Sequence, residues 1–100
     1  MAFEHEAARL RKLAKQPDVL FGWTRHADVE RQKDDIAKID VHNMLRRCSV
    51  SNVEETEGET TWRAEGRDVD GRGIMAIIVA YEDDHCPEIK IITTWAKKKS

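Results

Sequence analysis

The chain has 100 residues, 40% of them hydrophobic and 36% charged, and a formal net charge of −2. That length predicts one domain with a thin core. No apolar run approaches the ~18 residues of a membrane span, the opening Met1-Ala-Phe-Glu-His-Glu lacks the apolar stretch of a signal peptide, and five Gly and two Pro are too few for a linker or a disordered chain.

Residues 3–15 read as an amphipathic helix, with Phe3, Ala7, Leu10 and Ala14 on one stripe and Leu13 beside them. Its acids come early and its bases late, as the helix dipole favours, and Gln16-Pro17-Asp18 stops it. Val19–Trp23 is a short apolar piece, either a strand or an extended anchor. Thr24 is placed as the N-cap of a second helix over 25–37, whose apolar stripe is weak. Asp40 is placed as the N-cap of a third helix through Val41, Met44 and Leu45, ending at Arg46 and Arg47.

From Ser49 the period changes from near 3.6 to 2. An edge strand is expected over 49–53 and an acidic turn over 54–59. An alternating strand follows over 60–67, then a hairpin turn at Asp68–Gly73. The nearly all-apolar 74–81 reads as a central strand. A polar turn over 82–87, an alternating strand over 88–95 and a basic tail over 97–99 complete the chain. Helices first and then a three- to four-stranded antiparallel sheet make an α+β domain, with the helices on one face of the sheet.

The alternation places Arg63, Glu65 and Arg67 on one face of their strand. With Ile89, Ile91 and Trp95 turned to the core, Lys90 and Thr94 join them. Three cations, a carboxylate and a hydroxyl on one sheet face form an anion-reading surface. The same charges also serve as ordinary solvation of an outer face. His26, at the start of the second helix, is suited to proton transfer near neutral pH, and is equally an exposed first-turn histidine. Trp23, Trp62 and Trp95 are read as packing rather than base-stacking platforms.

Cys48 and Cys86 form no C-x-x-C and are read as reduced thiols. His5, His42, His85 and the cysteines show no metal-ligand spacing, and neither acidic turn follows the calcium-loop pattern. Phosphate-loop, dinucleotide, hydrolase-elbow and zinc-protease motifs are absent, so neither a metal nor a cofactor is expected. Residues 1–47 carry 10 basic against 8 acidic side chains, and residues 48–100 carry 7 against 11. Any nucleic-acid footprint is therefore a local patch.

Thr24-Arg25-His26-Ala27 with Arg31, the segment Arg63–Arg72 leading into an apolar strand, and the closing Ile91-Ile92-Thr93-Thr94-Trp95 together resemble an uncharacterised family of small bacterial domains. That family is similar in turn to the RelE, ParE and BrnT toxins. The resemblance covers residues 19–96 and leaves residues 1–16, with the helix at 3–15, as an addition. It implies a RelE/ParE-like α+β fold and a cytoplasmic, metal-independent endoribonuclease of a toxin–antitoxin system. RNA, ribosome-bound or free, would be its substrate, and an antitoxin protein its partner. By position it assigns His26, Arg31, Arg67, Arg72 and Thr94 (or Thr93) to the site.

In that reading His26, Glu65 and Arg67 are catalytic. Arg31, Arg63, Arg72, Lys90 and Thr94 bind phosphate. The rival reading is a non-catalytic protein-binding module of the same fold, with the 3–15 helix as a homodimer or partner surface. DNA binding through the 40–47 helix is a third.

Overall fold

In the computed structural model, which describes residues 3–97, the order is α1 (Glu4–Ala14), β1 (Leu20–Trp23), α2 (Arg25–Lys33), α3 (Lys38–Leu45), β2 (Ser49–Thr56), β3 (Glu59–Arg67), β4 (Gly73–Tyr81) and β5 (Glu88–Ala96). The class is α+β. The sheet has five strands in the order β1-β5-β4-β3-β2, rather than three or four, and it is mixed rather than antiparallel. The difference is β1. This short segment lies parallel to β5, from Leu20 opposite Glu88 to Trp23 opposite Ile91. Its partner is more than sixty residues away in sequence, so no local pattern announces the pairing. Among the described residues no helix is long and apolar enough to cross a membrane. Of the basic tail, Lys98 and Lys99 lie outside the described residues.

The stripe of α1 packs on the chain's own core. Ala7, Leu10, Leu13 and Ala14 are buried, and Phe3 packs against them. The face considered as an association seam is thus covered internally. The core side of the sheet presents Trp62, Ala64, Ile74, Ala76, Ile78, Ile89 and Ile91 to Val41, Met44 and Leu45 of α3 and to α1.

α2 is held mainly by polar ties, because Ala27 is its single buried residue. The Thr24 side chain accepts from the Ala27 amide at 3.0 Å, which caps the helix as expected. The helix ends at Lys33, not at 37, since Asp35 turns into the left-handed region (φ 56). The Ile36 amide then donates to the Arg31 carbonyl, and the Ile36 side chain drops into the core. α3 starts at Lys38 after Ala37, which offers no side-chain cap; Asp40 sits inside its first turn and is not the N-cap.

α2 also shields the sheet. β1 ends at Trp23 and would leave the second half of β5 an open edge. Instead the Thr24 amide donates to the Ile91 carbonyl at 3.2 Å. The Thr24 hydroxyl donates to the Ile92 carbonyl at 3.0 Å, and the Ala96 amide donates to an Asp34 carboxylate oxygen at 2.8 Å.

Gly66 lets the Met44 side chain of α3 approach the sheet backbone closely. A Cβ at that position would lie 2.5 Å from Cγ of Met44, a mid-chain atom of a buried side chain. Gly66→Ala is expected to destabilise the domain by about 1–3 kcal/mol, the usual cost of overpacking a core. Urea denaturation measures it, and an unchanged midpoint would mean that Met44 swings aside freely.

Candidate functional site on the uncovered sheet face

The side of the sheet opposite α1 and α3 carries the candidate residues, and one irregularity decides which of them point there. Along β4 and β5, Ile77 pairs with Thr93 but Ile78 pairs with Ile91, so Ile92 is an extra residue. An inserted residue reverses the in–out alternation beyond it. Thr94 consequently pairs with Ala76 on the core side. It is fully buried, and its hydroxyl donates to the Met75 carbonyl at 2.6 Å. The expected phosphate ligand Thr94 is therefore a structural residue. Trp95 pairs with Met75 and faces outward, not into the core as the alternation predicted.

The outer face then reads in cross-strand rows. Glu65, Met75 and Trp95 make one row, and Arg63, Ile77 and Thr93 the next. Lys90 is exposed opposite Val79 and Gly22. The Arg63 guanidinium lies over the Trp95 ring, 5.5 Å from its centroid, and one of its nitrogens approaches the Met75 sulfur at 3.9 Å.

Two of the predicted phosphate ligands are committed elsewhere. Arg72 ties the β3–β4 turn to the end of α2. It donates to the Asp68 carboxylate at 3.0 Å, to the Asp34 carbonyl at 2.7 Å and to the Asp35 carbonyl at 2.9 Å. Partial burial pushes the Asp68 carboxyl's pKa up, but hydrogen bonds from the Arg72 amide and side chain outweigh this and hold it below the usual value. Arg31 donates to Asp28 at 2.8 Å and to the Ile36 carbonyl at 3.2 Å, bracing the α2–α3 turn. Arg46, considered for DNA contact, donates to the Ala14 carbonyl and to Asn43.

Three charged side chains meet at one end of the sheet, beside the committed Arg72. Glu65, Arg67, Arg72 and Lys97 line an open concavity of about 370 Å³, floored by Met75 and Gly73. Arg67 is exposed and reaches the Gly71 carbonyl through one nitrogen at 2.7 Å, leaving its other donors available. The Glu65 carboxylate makes no ion pair or hydrogen bond among the described residues. Such a set can hold a phosphate against cations beside a carboxylate able to accept a proton.

His26 is not in this group. It sits exposed in the first turn of α2, whereas Arg72 grips the last. Asp34, the C-cap, lies eight positions beyond His26, about 12 Å along the axis at 1.5 Å per residue. Lys90, Arg63, Arg31 and Thr94 lie outside the concavity as well. The sequence reading missed Trp95 and Lys97. The adjacent apolar pair Ile91-Ile92 in an otherwise alternating strand was the available sign of the bulge.

A second cluster lies at β1. His42 stacks on Phe21 with ring centroids 4.0 Å apart and accepts a hydrogen bond from the Trp23 indole at 3.0 Å. Arg46 lies over Phe21, and Lys38 and Arg31 lie near Trp23. Burial, and then the charges of Arg46 and Lys38, lower the His42 pKa below its ordinary 6.5. Both cysteines are free, and burial pushes the Cys48 thiol up to about 11, which makes it unreactive. Among the described residues no group of three or more His, Cys, Asp and Glu is placed to hold a metal ion.

Because His42 is harder to protonate in the folded chain than in the unfolded one, the unfolded state binds more protons as pH falls below about 6.5. Stability contributed by neutral His42 is thus complete above that pH and lost below it. Urea midpoints are expected to drop between pH 7 and pH 5, and His42→Gln should flatten that slope. An equal slope in the variant would show that His42 does not set it. No protein-family model matches this chain, and no curated protein matches it either.

Proposed function

We propose that this chain is a toxin-like, RNA-engaging domain of the RelE/ParE-like class, and that it cuts RNA without a metal from the uncovered sheet face. The observation that carries this reading is the meeting of Glu65, Arg67, Arg72 and Lys97 in one concavity. The α+β class, with α1 and α3 packed on one side of the sheet, supports the reading at that coarse level. The antitoxin partner comes from the same resemblance.

The chemistry is transfer of the phosphodiester to the neighbouring 2′-oxygen. Glu65 takes the proton of the 2′-hydroxyl as that oxygen bonds to phosphorus. The bond to the 5′-oxygen breaks, and water supplies the proton that the departing oxygen takes up. Arg67 and Lys97 hold the non-bridging oxygens, where charge accumulates in the transition state. His26, the acid or base that the sequence suggested, takes no part. A second reading, binding without cleavage, has its own support: Arg72 is committed to Asp68 and α2, and no imidazole lines the concavity.

Incubation with single-stranded RNA from pH 5 to 9, with a chelator present, separates the two. Cleavage to 2′,3′-cyclic phosphate ends is expected. Glu65→Gln should slow it about 100-fold or more, the scale of general base catalysis. Arg67→Ala should weaken binding, and His26→Ala should leave the rate unchanged. RNA bound but never cut establishes the non-catalytic reading, and RNA neither bound nor cut overturns both.

A further inference from the structure

The row Glu65–Met75–Trp95 crosses three strands, and two of its members, Glu65 and Met75, line the open concavity. Neighbouring strands lie about 4.8 Å apart, so Trp95 stands about 10 Å from Glu65 on the same face. The indole is only partly covered, and the Arg63 guanidinium is the charged group above it. An indole beside a guanidinium plane is the kind of surface on which an unpaired base stacks. In this chain it owes its outward orientation to the extra residue at Ile92.

We propose that Trp95, with Arg63, is a base-stacking platform adjoining the concavity, and that the ligand of this face is an unpaired nucleic-acid strand rather than a duplex. The inference rests on the RNA-engaging reading above and names its substrate class. One base lies on Trp95 while the adjacent phosphate lies against Arg67 and Lys97. A duplex keeps its bases stacked on each other and cannot offer one to the indole without unpairing.

The probe is a labelled ten-nucleotide 2′-O-methyl RNA, which has no free 2′-hydroxyl and cannot be cut. It is used single-stranded and annealed to its complement, with binding followed by fluorescence anisotropy. The wild-type chain is expected to prefer the single strand. Trp95→Ala should weaken single-strand binding roughly tenfold, within the range for loss of one stacked base, and Trp95→Phe should recover most of it. As a check that needs no variant, a 4-thiouridine oligonucleotide photocrosslinked to the unaltered chain should label the Trp95 peptide.

If Arg67→Ala weakens single-strand binding while Trp95→Ala does not, the stacking platform is wrong and the phosphate site stands. Equal binding of duplex and single strand, or crosslinks that avoid β5, overturns the inference in the same way. Failure of the wild type to bind either probe overturns the RNA-engaging reading itself.

Discussion

The extra residue at Ile92, pinned by Thr24, is the constraint on which the rest of the molecule depends. One threonine side chain does two things at once: it accepts from the Ala27 amide to start α2 and donates to the Ile92 carbonyl in β5. Each bond is worth on the order of 1 kcal/mol. Together they fix where the helix begins and where the strand changes parity. Without the bulge, Thr94 would face outward and Trp95 would enter the core. With it, a small hydroxyl residue is buried with its hydrogen bond satisfied by Met75, and a large aromatic ring joins Arg63 outside. The chemistry available to the outer face thus follows from a backbone feature held from the other end of the connection.

The charged residues divide according to what their donors already satisfy. Arg72 and Arg31 replace the hydrophobic stripe that α2 lacks, each closing a turn by donating to carbonyls that would otherwise lack partners. A guanidinium committed in this way has little left for an exchangeable ligand. Arg67, Lys97 and Glu65 are less committed, and they cluster at the end of the sheet where β3 and β4 turn. An acidic chain can therefore still present a small cationic surface, because most of its acids lie elsewhere. Glu54, Glu55, Glu57 and Glu59 sit in or beside the β2–β3 turn, and Glu82, Asp83 and Asp84 follow β4.

The helix-then-sheet order, the stripe of α1, the Thr24 cap and the strands from β3 to β5 were legible because each has a local signature: a period, a capping residue or an Asp-Gly turn. β1 was legible only as an extended segment, a strand or an anchor; its parallel pairing was not, since four residues carry no period and the partner is distant in sequence. The start of α3 was misplaced because Asp40 is chemically a good cap, whereas Ala37 takes the position through backbone geometry alone. The site was half legible. Glu65 and Arg67 follow from alternation in a regular strand. Thr94 and Trp95 do not, because alternation fails past a bulge. His26 has a suitable side chain, but its location in the first turn of α2 separates it from the end of that helix, which Arg72 holds.

The most direct test of the account is a two-dimensional NMR titration of the labelled chain with a short single-stranded RNA whose 2′-oxygens are methylated. The account predicts that the Trp95 indole N–H and the amides of Glu65, Arg67 and Met75 shift together, while those of α1 and the start of α2 around His26 stay in place. Shifts confined to α2 and α3 with the Trp95 indole unmoved would contradict it, and would place nucleic-acid contact, if any, on the opposite side of the sheet.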